Sequence, residues 1–300
     1  MATVIGTRGS RLALVQANWA AEALRQIGHT PEIRIIKTKG DVVHDRFDKM
    51  EGKGFFTKEI EEALLCGDID VAVHSLKDLP TADAPGLKVS AIPEREDPLD
   101  ILVTEKPLAM KDLGPDLNGL RIGTSSNRRV AGLRQHAPDA EFLPIRGNVP
   151  RRIEKMRQGE VDVVVLAQAG IKRLSLELPG LYVFPLRPEF LTPAPGQGAL
   201  ALQVRADDGP DLSALTHGET ANCVNAERAV LAHLEGGCQL PLGVLVQPGD
   251  QGYRMRLFLQ PKQGREAVRL DLTAGDTRQL VAQAIERLDR AIDENLPDTN

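Results

Sequence analysis

Asp70-Val-Ala-Val-His-Ser-Leu-Lys-Asp-Leu-Pro80 is the stretch from which the rest of the chain is read. Val71, Ala72 and Val73 form an unbroken apolar run, the pattern of a short strand buried on both faces. Polar groups follow at once, and open α/β sheets take their ligands at the carboxyl ends of such strands. Ser75, Lys77 and Asp78 therefore stand where a hydroxyl, a cation and a carboxylate can converge on one small ligand, and Pro80 keeps the segment from continuing as helix. A solvated loop with an incidental lysine and aspartate fits the same residues. His74, alone beside a buried run, reads as a structural histidine.

This strand has a counterpart. Gly67-Asp-Ile-Asp-Val-Ala-Val73 is matched position by position by Gly159-Glu-Val-Asp-Val-Val-Val165, each after an amphipathic helical pattern. A second pair precedes them. Strand Val4 to Gly6 and the turn Thr7-Arg8-Gly9-Ser10 lead into a helix on which Leu12, Val15, Trp19, Ala23, Leu24 and Ile27 fall at helical spacing, stopped by Gly28. Strand Leu120 to Gly123 and the turn Thr124-Ser125-Ser126 lead into a helix opened by Asn127 to Arg134. Two matched pairs in one order predict two α/β lobes of the same plan, facing each other.

Glu94 to Leu99 and Phe190 to Gly198, rich in proline and glycine, read as the crossings out and back, a hinge, with Ala199 to Val204 a strand that rejoins the first lobe. Within that lobe a strand is expected from Glu32 to Thr38. A loop over Asp41 to Gly54 is a candidate lid, and helix Lys58 to Cys66 turns Ile60, Ala63 and Leu64 inward with Cys66 as a packing residue. Gly52-Lys53-Gly54 is too sparse for a Walker phosphate loop. From Thr216 the pattern changes to a helix (Glu219 to Leu234), three strands (244–247, 253–260, 267–272) and a closing helix (Thr277 to Asn295) with Leu280, Ala284, Ile285 and Leu288 inward. The expected division is 1–96 with 197–215, 97–196, and a small α+β domain at 216–300.

Composition narrows the function. At 42% hydrophobic and 26% charged, the 300 residues fit a soluble globular protein, and no run approaches the roughly 18 apolar residues of a membrane span. No basic segment followed by a long apolar one opens the chain, so a cytoplasmic protein is expected. Cys66, Cys223 and Cys238 lie too far apart for a disulfide framework or a paired-cysteine zinc site, and no metal is expected. A net charge of -5 and 3% aromatic residues argue against nucleic acid.

Basic residues nevertheless cluster at Arg128 and Arg129, at Arg146, Arg151 and Arg152 around Gly147-Asn148, and at Lys172 and Arg173. Each alone fits a solvated surface. As three clusters at strand ends they fit a polycarboxylate or phosphate ligand. Arg8 and Ser10 suit an anion at a helix start and equally suit a surface arginine beside an N-cap. Cys238 follows two glycines in an open loop, the setting of either a used thiol or an incidental one.

Gly6-Thr-Arg-Gly-Ser10, Lys39-Gly-Asp41, Gly52-Lys-Gly-Phe-Phe56 with Lys58-Glu59, His74-Ser-Leu-Lys-Asp-Leu-Pro80, Gly123-Thr-Ser-Ser126 with Arg128-Arg129, Arg146-Gly-Asn-Val149, Leu166-Ala167 with Ala169-Gly170 and Lys172-Arg-Leu174, Pro195-Gly-Gln-Gly-Ala199 and Glu235-Gly-Gly-Cys-Gln239 occur in one order over nearly the whole chain. In that order they resemble the hydroxymethylbilane synthase family, also called porphobilinogen deaminases. Departures are mild, with Asn127 and Phe55 where the family commonly has an aliphatic residue.

The resemblance implies two lobes like those of periplasmic binding proteins, joined by a hinge, plus a C-terminal domain with a three-stranded antiparallel sheet. It implies a transferase that deaminates four porphobilinogen molecules and joins them head to tail into hydroxymethylbilane on a retained dipyrromethane cofactor, thioether-linked at the position of Cys238. Asp78 would be the catalytic carboxylate. Ser75, Lys77, Thr124, Ser125, Ser126, Arg128, Arg129, Arg146 and Arg152 would bind the cofactor along with Asp78 and Cys238. Arg8, Ser10, Ser75, Arg146, Asn148, Arg152, Arg173 and Gln197 would bind substrate, and Asp41, Lys53, Phe55 and Lys58 would belong to the lid. A monomer without nucleic-acid or membrane partners is implied.

The chemistry agrees, because a fixed carboxylate stabilises a developing pyrrole cation while arginines neutralise the acetate and propionate groups of every ring. The rival reading is a two-lobed binding module for a small polycarboxylate or phosphate. It gives no role to Cys238 or to an aspartate among cations.

Overall fold

The computed structural model describes residues 2–37, 57–109, 113–234, 240–261 and 266–294. Along the first part of the chain run β1 (Ala2–Thr7), α1 (Arg11–Gln26), β2 (Thr30–Ile35), α2 (Lys58–Leu65), β3 (Val71–Ser75), β4 (Leu87–Ala91), β5 (Asp100–Thr104), α3 (Leu113–Leu117), β6 (Arg121–Gly123), α4 (Asn127–Arg134) and β7 (Glu141–Leu143). Then follow α5 (Val149–Arg157), β8 (Val163–Ala167), α6 (Gln168–Arg173), β9 (Tyr182–Pro185), β10 (Leu200–Arg205), α7 (Gly218–His233), β11 (Leu242–Gly249), β12 (Gly252–Leu259), β13 (Val268–Ala274) and α8 (Thr277–Glu294). No helix among the described residues is long and apolar enough to cross a membrane.

The chain forms two compact units, Met1–Glu96 with Gly198–Ala221, and Asp97–Gln197 with Asn222–Asn300. The first holds a sheet ordered β2-β1-β3-β10-β4, in which β1 is parallel to β2 and β3, and β10 runs antiparallel to β3 and β4. The second holds a sheet ordered β7-β6-β8-β5-β9 with the same directions. Each antiparallel strand, β10 or β5, arrives directly after a crossing.

The repeat extends to register. Ile5 and Gly6 pair with Val71 and Ala72, and Ile122 and Gly123 pair with Val163 and Val164. The repeated aspartate explains itself structurally. Asp70 accepts the backbone N–H of Val4 at 2.8 Å and Asp162 that of Arg121 at 3.0 Å, so each closes the first rung between two parallel strands. Packing repeats as well, since a Cβ on Gly6 would run into Ile69 and one on Gly123 would lie 3.0 Å from Val161, the same motif position.

Both central strands are buried on two faces. Val71 and Val73 pack with α1, and Ala72 packs with Ile60 and Leu64 of α2. Val163 and Val165 pack on one side of the second sheet, and Val164 and Leu166 on the other.

The antiparallel sheet β11-β12-β13 closes its own core with α7 and α8, into which Leu280, Ala284 and Leu288 point as expected, whereas Ile285 is only partly buried and is not part of that core. It also meets the rest of the second unit. Val244 N–H donates to Pro193 O at 2.9 Å, Arg256 pairs with Glu189 at 2.5 Å, and Glu227 of α7 accepts from Gly196 N and Val246 N at 2.7 and 2.9 Å. Along β12 the expected alternation of burial runs through Arg254, Met255, Arg256 and Leu257 and stops there. Phe258 is buried as well, beneath the Arg269 guanidinium at 5.2 Å from its ring centre.

Three local expectations are corrected. The buried stripe of α1 is Gln16, Ala17, Ala20, Ala21 and Leu24, with Trp19 44% exposed. Small alanines let the helix approach the sheet, which turns the stripe by about one residue, roughly 100°. β2 begins and ends earlier than Glu32 to Thr38, because its pairing with β1 starts at Thr30. Cys66 is exposed, since it caps the end of α2 beyond the inward residues Ile60, Ala63 and Leu64.

Candidate active site

In the first unit the turns after β1 and β3 leave the sheet side by side, because these strands are parallel neighbours. β3 ends at Ser75 and Leu76–Asp78 forms one turn of 3-10 helix. Leu76 is buried and anchors that turn, leaving Lys77 half-buried and Asp78 exposed. The Ser75 hydroxyl accepts from Gln16 Nε2 at 3.0 Å. Ser10 is the N-cap of α1, its hydroxyl accepting the Ala13 N–H at 3.3 Å, and Arg8 is half-buried in the same turn. Lys58 opens α2 as an exposed residue, 4.0 Å from Glu62.

His74 is buried, with Nε2 3.0 Å from Gln203 Oε1. Burial lowers its pKa to about 4 and the Gln203 bond only partly offsets that, so the ring is neutral and structural near pH 7.

In the second unit β6 is parallel to β7 and β8, so the three following turns share one edge. Ser126 caps α4, accepting the Arg129 N–H at 3.5 Å, and Asn148 caps α5, accepting the Arg151 N–H at 3.0 Å. Thr124 is buried and accepts the Ser126 N–H at 3.2 Å, while exposed Ser125 donates to Ile145 O at 3.0 Å. Arg146 and Asn148 are exposed, and Arg152 and Arg173 are half-buried. Arg152 Nε donates to the carbonyl of Gly147, whose φ of +112° turns the chain there. Lys172 reaches Asp97 at 3.5 Å. Gln197 is almost fully buried, and its Nε2 donates to Pro98 O at 2.7 Å.

Arg128 and Arg129 are not surface arginines. Both are buried against a fully buried Asp100: Arg128 Nη1 donates to Oδ2 at 2.7 Å, and Arg129 Nε and Nη2 donate to Oδ1 at 2.9 and 2.7 Å. Arg128 also donates to Thr192 O at 2.8 Å and Arg129 to Val165 O at 2.9 Å. Burial alone pushes the Asp100 carboxyl up, and the two guanidinium groups reverse this and hold it well below the usual carboxylate range.

Sequence reasoning missed Asp100 and Gln16. The signals were present: a carboxylate heading the apolar run Ile101-Leu-Val103, and an amide inside an alanine stripe. Cys238, Asp41, Lys53 and Phe55 lie outside the described residues.

Within each unit taken by itself, the capped helix starts, hydroxyls and guanidinium groups at the sheet edge suit carboxylate groups. Comparison with known proteins agrees. Residues 3–211 match the family described as "Porphobilinogen deaminase, dipyromethane cofactor binding domain", and residues 221–283 match "Porphobilinogen deaminase, C-terminal domain". A porphobilinogen deaminase of Nitratidesulfovibrio vulgaris is 43% identical over 281 residues, covering 90% of this chain and 86% of its own. One from Trichlorobacter lovleyi is 42% identical over 294 residues, covering 96% and 92%. Among solved structures, the second substrate binding domain of a putative amino acid ABC transporter from Streptococcus pneumoniae aligns with 79% of this chain and 96% of its own, at 16% identity and a TM-score of 0.46. With matches of this extent to both halves of the deaminase, the chain belongs to the porphobilinogen deaminase family.

Proposed function

We propose that Asp78 is the catalytic carboxylate of this hydroxymethylbilane synthase, and that its cofactor is held through a thioether to Cys238. The enzyme deaminates four porphobilinogen molecules and joins them head to tail on the cofactor, and water cleaves the finished chain from it as hydroxymethylbilane. The dipyrromethane cofactor, when bound, supplies the free pyrrole carbon on which the chain is started.

As the aminomethyl C–N bond of a substrate breaks, ammonia leaves with the electron pair and a positive azafulvenium remains. Asp78 accepts the pyrrole N–H and stabilises that charge as it develops. The proton displaced when that cation is captured passes to the released ammonia, so that ammonium leaves and the charge on Asp78's partner is cancelled. The observation that carries this reading is an exposed carboxylate directly after a strand buried on both faces, beside a half-buried lysine.

Lys77, Thr124, Ser125, Ser126, Arg128 and Arg129 bind the cofactor's acid groups. Arg8, Ser10, Asn148, Arg173 and Gln197 bind substrate, and Ser75, Arg146 and Arg152 serve both as the chain lengthens. Each charge-assisted hydrogen bond contributes about 1.5–3 kcal/mol, enough for several to hold a polyanion. The same reading keeps the three-part division at 1–96 with 197–215, 97–196 and 216–300, a lid that includes Asp41, Lys53, Phe55 and Lys58, and a monomer in the cytoplasm. A binding module remains only a likeness of fold.

The test is the intact mass of the purified protein before and after porphobilinogen. A dipyrromethane mass beforehand, stepwise additions of one deaminated pyrrole afterwards, and loss of the initial mass in Cys238→Ser are expected. Asp78→Asn keeps that mass and turns over about 10²–10³-fold more slowly. An unmodified polypeptide mass with no additions sinks the reading, and wild-type turnover in Asp78→Asn removes Asp78 from it.

A further inference from the structure

The internal repeat exposes a place where the second sheet carries buried charge and the first does not. Ser10 and Ser126 both cap a helix by accepting the N–H three residues on, from Ala13 and Arg129, so Leu12 and Ala13 occupy the positions of Arg128 and Arg129. Leu200 pairs with Ser75 at the end of β3, and Asp100 pairs with Ala167 at the end of β8, so Leu200 occupies the position of Asp100. At these equivalent positions the first unit has Leu12, Ala13 and Leu200, and the second has Arg128, Arg129 and Asp100. The fold itself does not require charge there.

Nor does stability explain it. Replacing a buried ion triad by apolar residues of similar volume is often neutral or stabilising. What the triad adds is geometry. One carboxylate grips both guanidinium groups, one by Nη1 and the other by the Nε–Nη2 edge, while Thr192 O and Val165 O fix their remaining rotation. Two cations that would repel each other become a fixed pair with one net positive charge.

We propose that Asp100 is a positioning residue, which locks Arg128 and Arg129 into a pre-aligned, singly positive group that orients an acid side chain of the cofactor. This rests on the assignment of those arginines to the cofactor. A net charge of one grips by direction rather than by excess charge. Movement of the guanidinium groups shifts the reacting pyrrole carbon, and about 1 Å of misplacement can cost 10²-fold in rate.

Asp100→Glu and Asp100→Asn, made in the full chain, test this. Asp100→Glu keeps the charge and moves the carboxylate by one methylene. A melting temperature within a few degrees of wild type, an unchanged cofactor mass, kcat lowered at least tenfold and KM within about twofold are expected. In Asp100→Asn the fraction of protein carrying the cofactor mass is expected to fall below about one-tenth, and if that variant does not fold, the kcat-against-KM split in Asp100→Glu decides alone. Wild-type kcat in Asp100→Glu, or full cofactor occupancy in folded Asp100→Asn, overturns the inference. Arg128→Gln separates the two ideas: full cofactor occupancy in that variant removes the arginine assignment itself, whereas its loss alongside normal Asp100 variants leaves the assignment standing and removes Asp100.

Discussion

At His74, loss of water disfavours the imidazolium and one partner, Gln203, offsets only part of the penalty. The unfolded chain takes up a proton near pH 6.5 that the folded ring accepts only near pH 4. Stability is therefore full above pH 6.5 and falls as the pH drops towards 4, by about 3 kcal/mol at the lower end. Replacing His74 by Gln keeps a polar partner for Gln203 and removes the titration. Urea midpoints at pH 5 and pH 7 should converge in His74→Gln relative to wild type, and an unchanged difference would show that another group carries the acid sensitivity. Asp100 answers burial in the opposite way. Its guanidinium partners hold it ionised, so it contributes stability above the ordinary carboxylate range that is lost only in strong acid.

Among the elements, the repeated Gly-x-x-Asp motif fixes how a parallel strand starts beside its neighbour. Asp162 accepts both the Arg121 N–H and its Nε, each at 3.0 Å, and with Lys106 these bonds hold its carboxyl well below the usual range. Alanine at this position leaves the Arg121 N–H and guanidinium without that acceptor, at a cost of about 1–3 kcal/mol. Asp162→Asn keeps an oxygen for the N–H and should lose less. Denaturation in urea that ranks wild type above Asp162→Asn above Asp162→Ala supports the rung, and equal midpoints would leave it without energetic weight. The motif's spacing was legible as a repeat because both copies must meet the same backbone N–H. Its partner was not, because Val4 and Arg121 share nothing that a sequence pattern could match.

On the scale of the whole molecule, Glu227 does for the second unit what Asp162 does for one rung. A single buried carboxylate joins α7, the Pro195-Gly196 segment and β11 through Gly196 N and Val246 N. Glutamine in its place turns an amide N–H2 towards one of the two donors, which costs about 1–3 kcal/mol for the group left unpaired. In Glu227→Gln the amides of Gly196 and Val246 should exchange hydrogen at least tenfold faster, with β1 and β3 unchanged. Equal exchange at both amides would mean that the segment is held by other contacts.

The sequence by itself determined the two repeated sheets, the central buried strands, the capped helix starts and the C-terminal α+β elements. Their signals are local: strand runs, helical spacing and cap residues recur wherever the same backbone must be built. The tight order of the polar runs likewise pointed to the deaminase family. Only the tertiary structure decided which face of α1 is buried, that Cys66 is exposed, and that Gln16 reaches Ser75. It alone brought Asp100 to Arg128 and Arg129, and Glu227 to Gly196. The physical reason is that a buried charge is tolerable only beside its partner, and here the partners stand 28, 29 and 31 residues away along the chain.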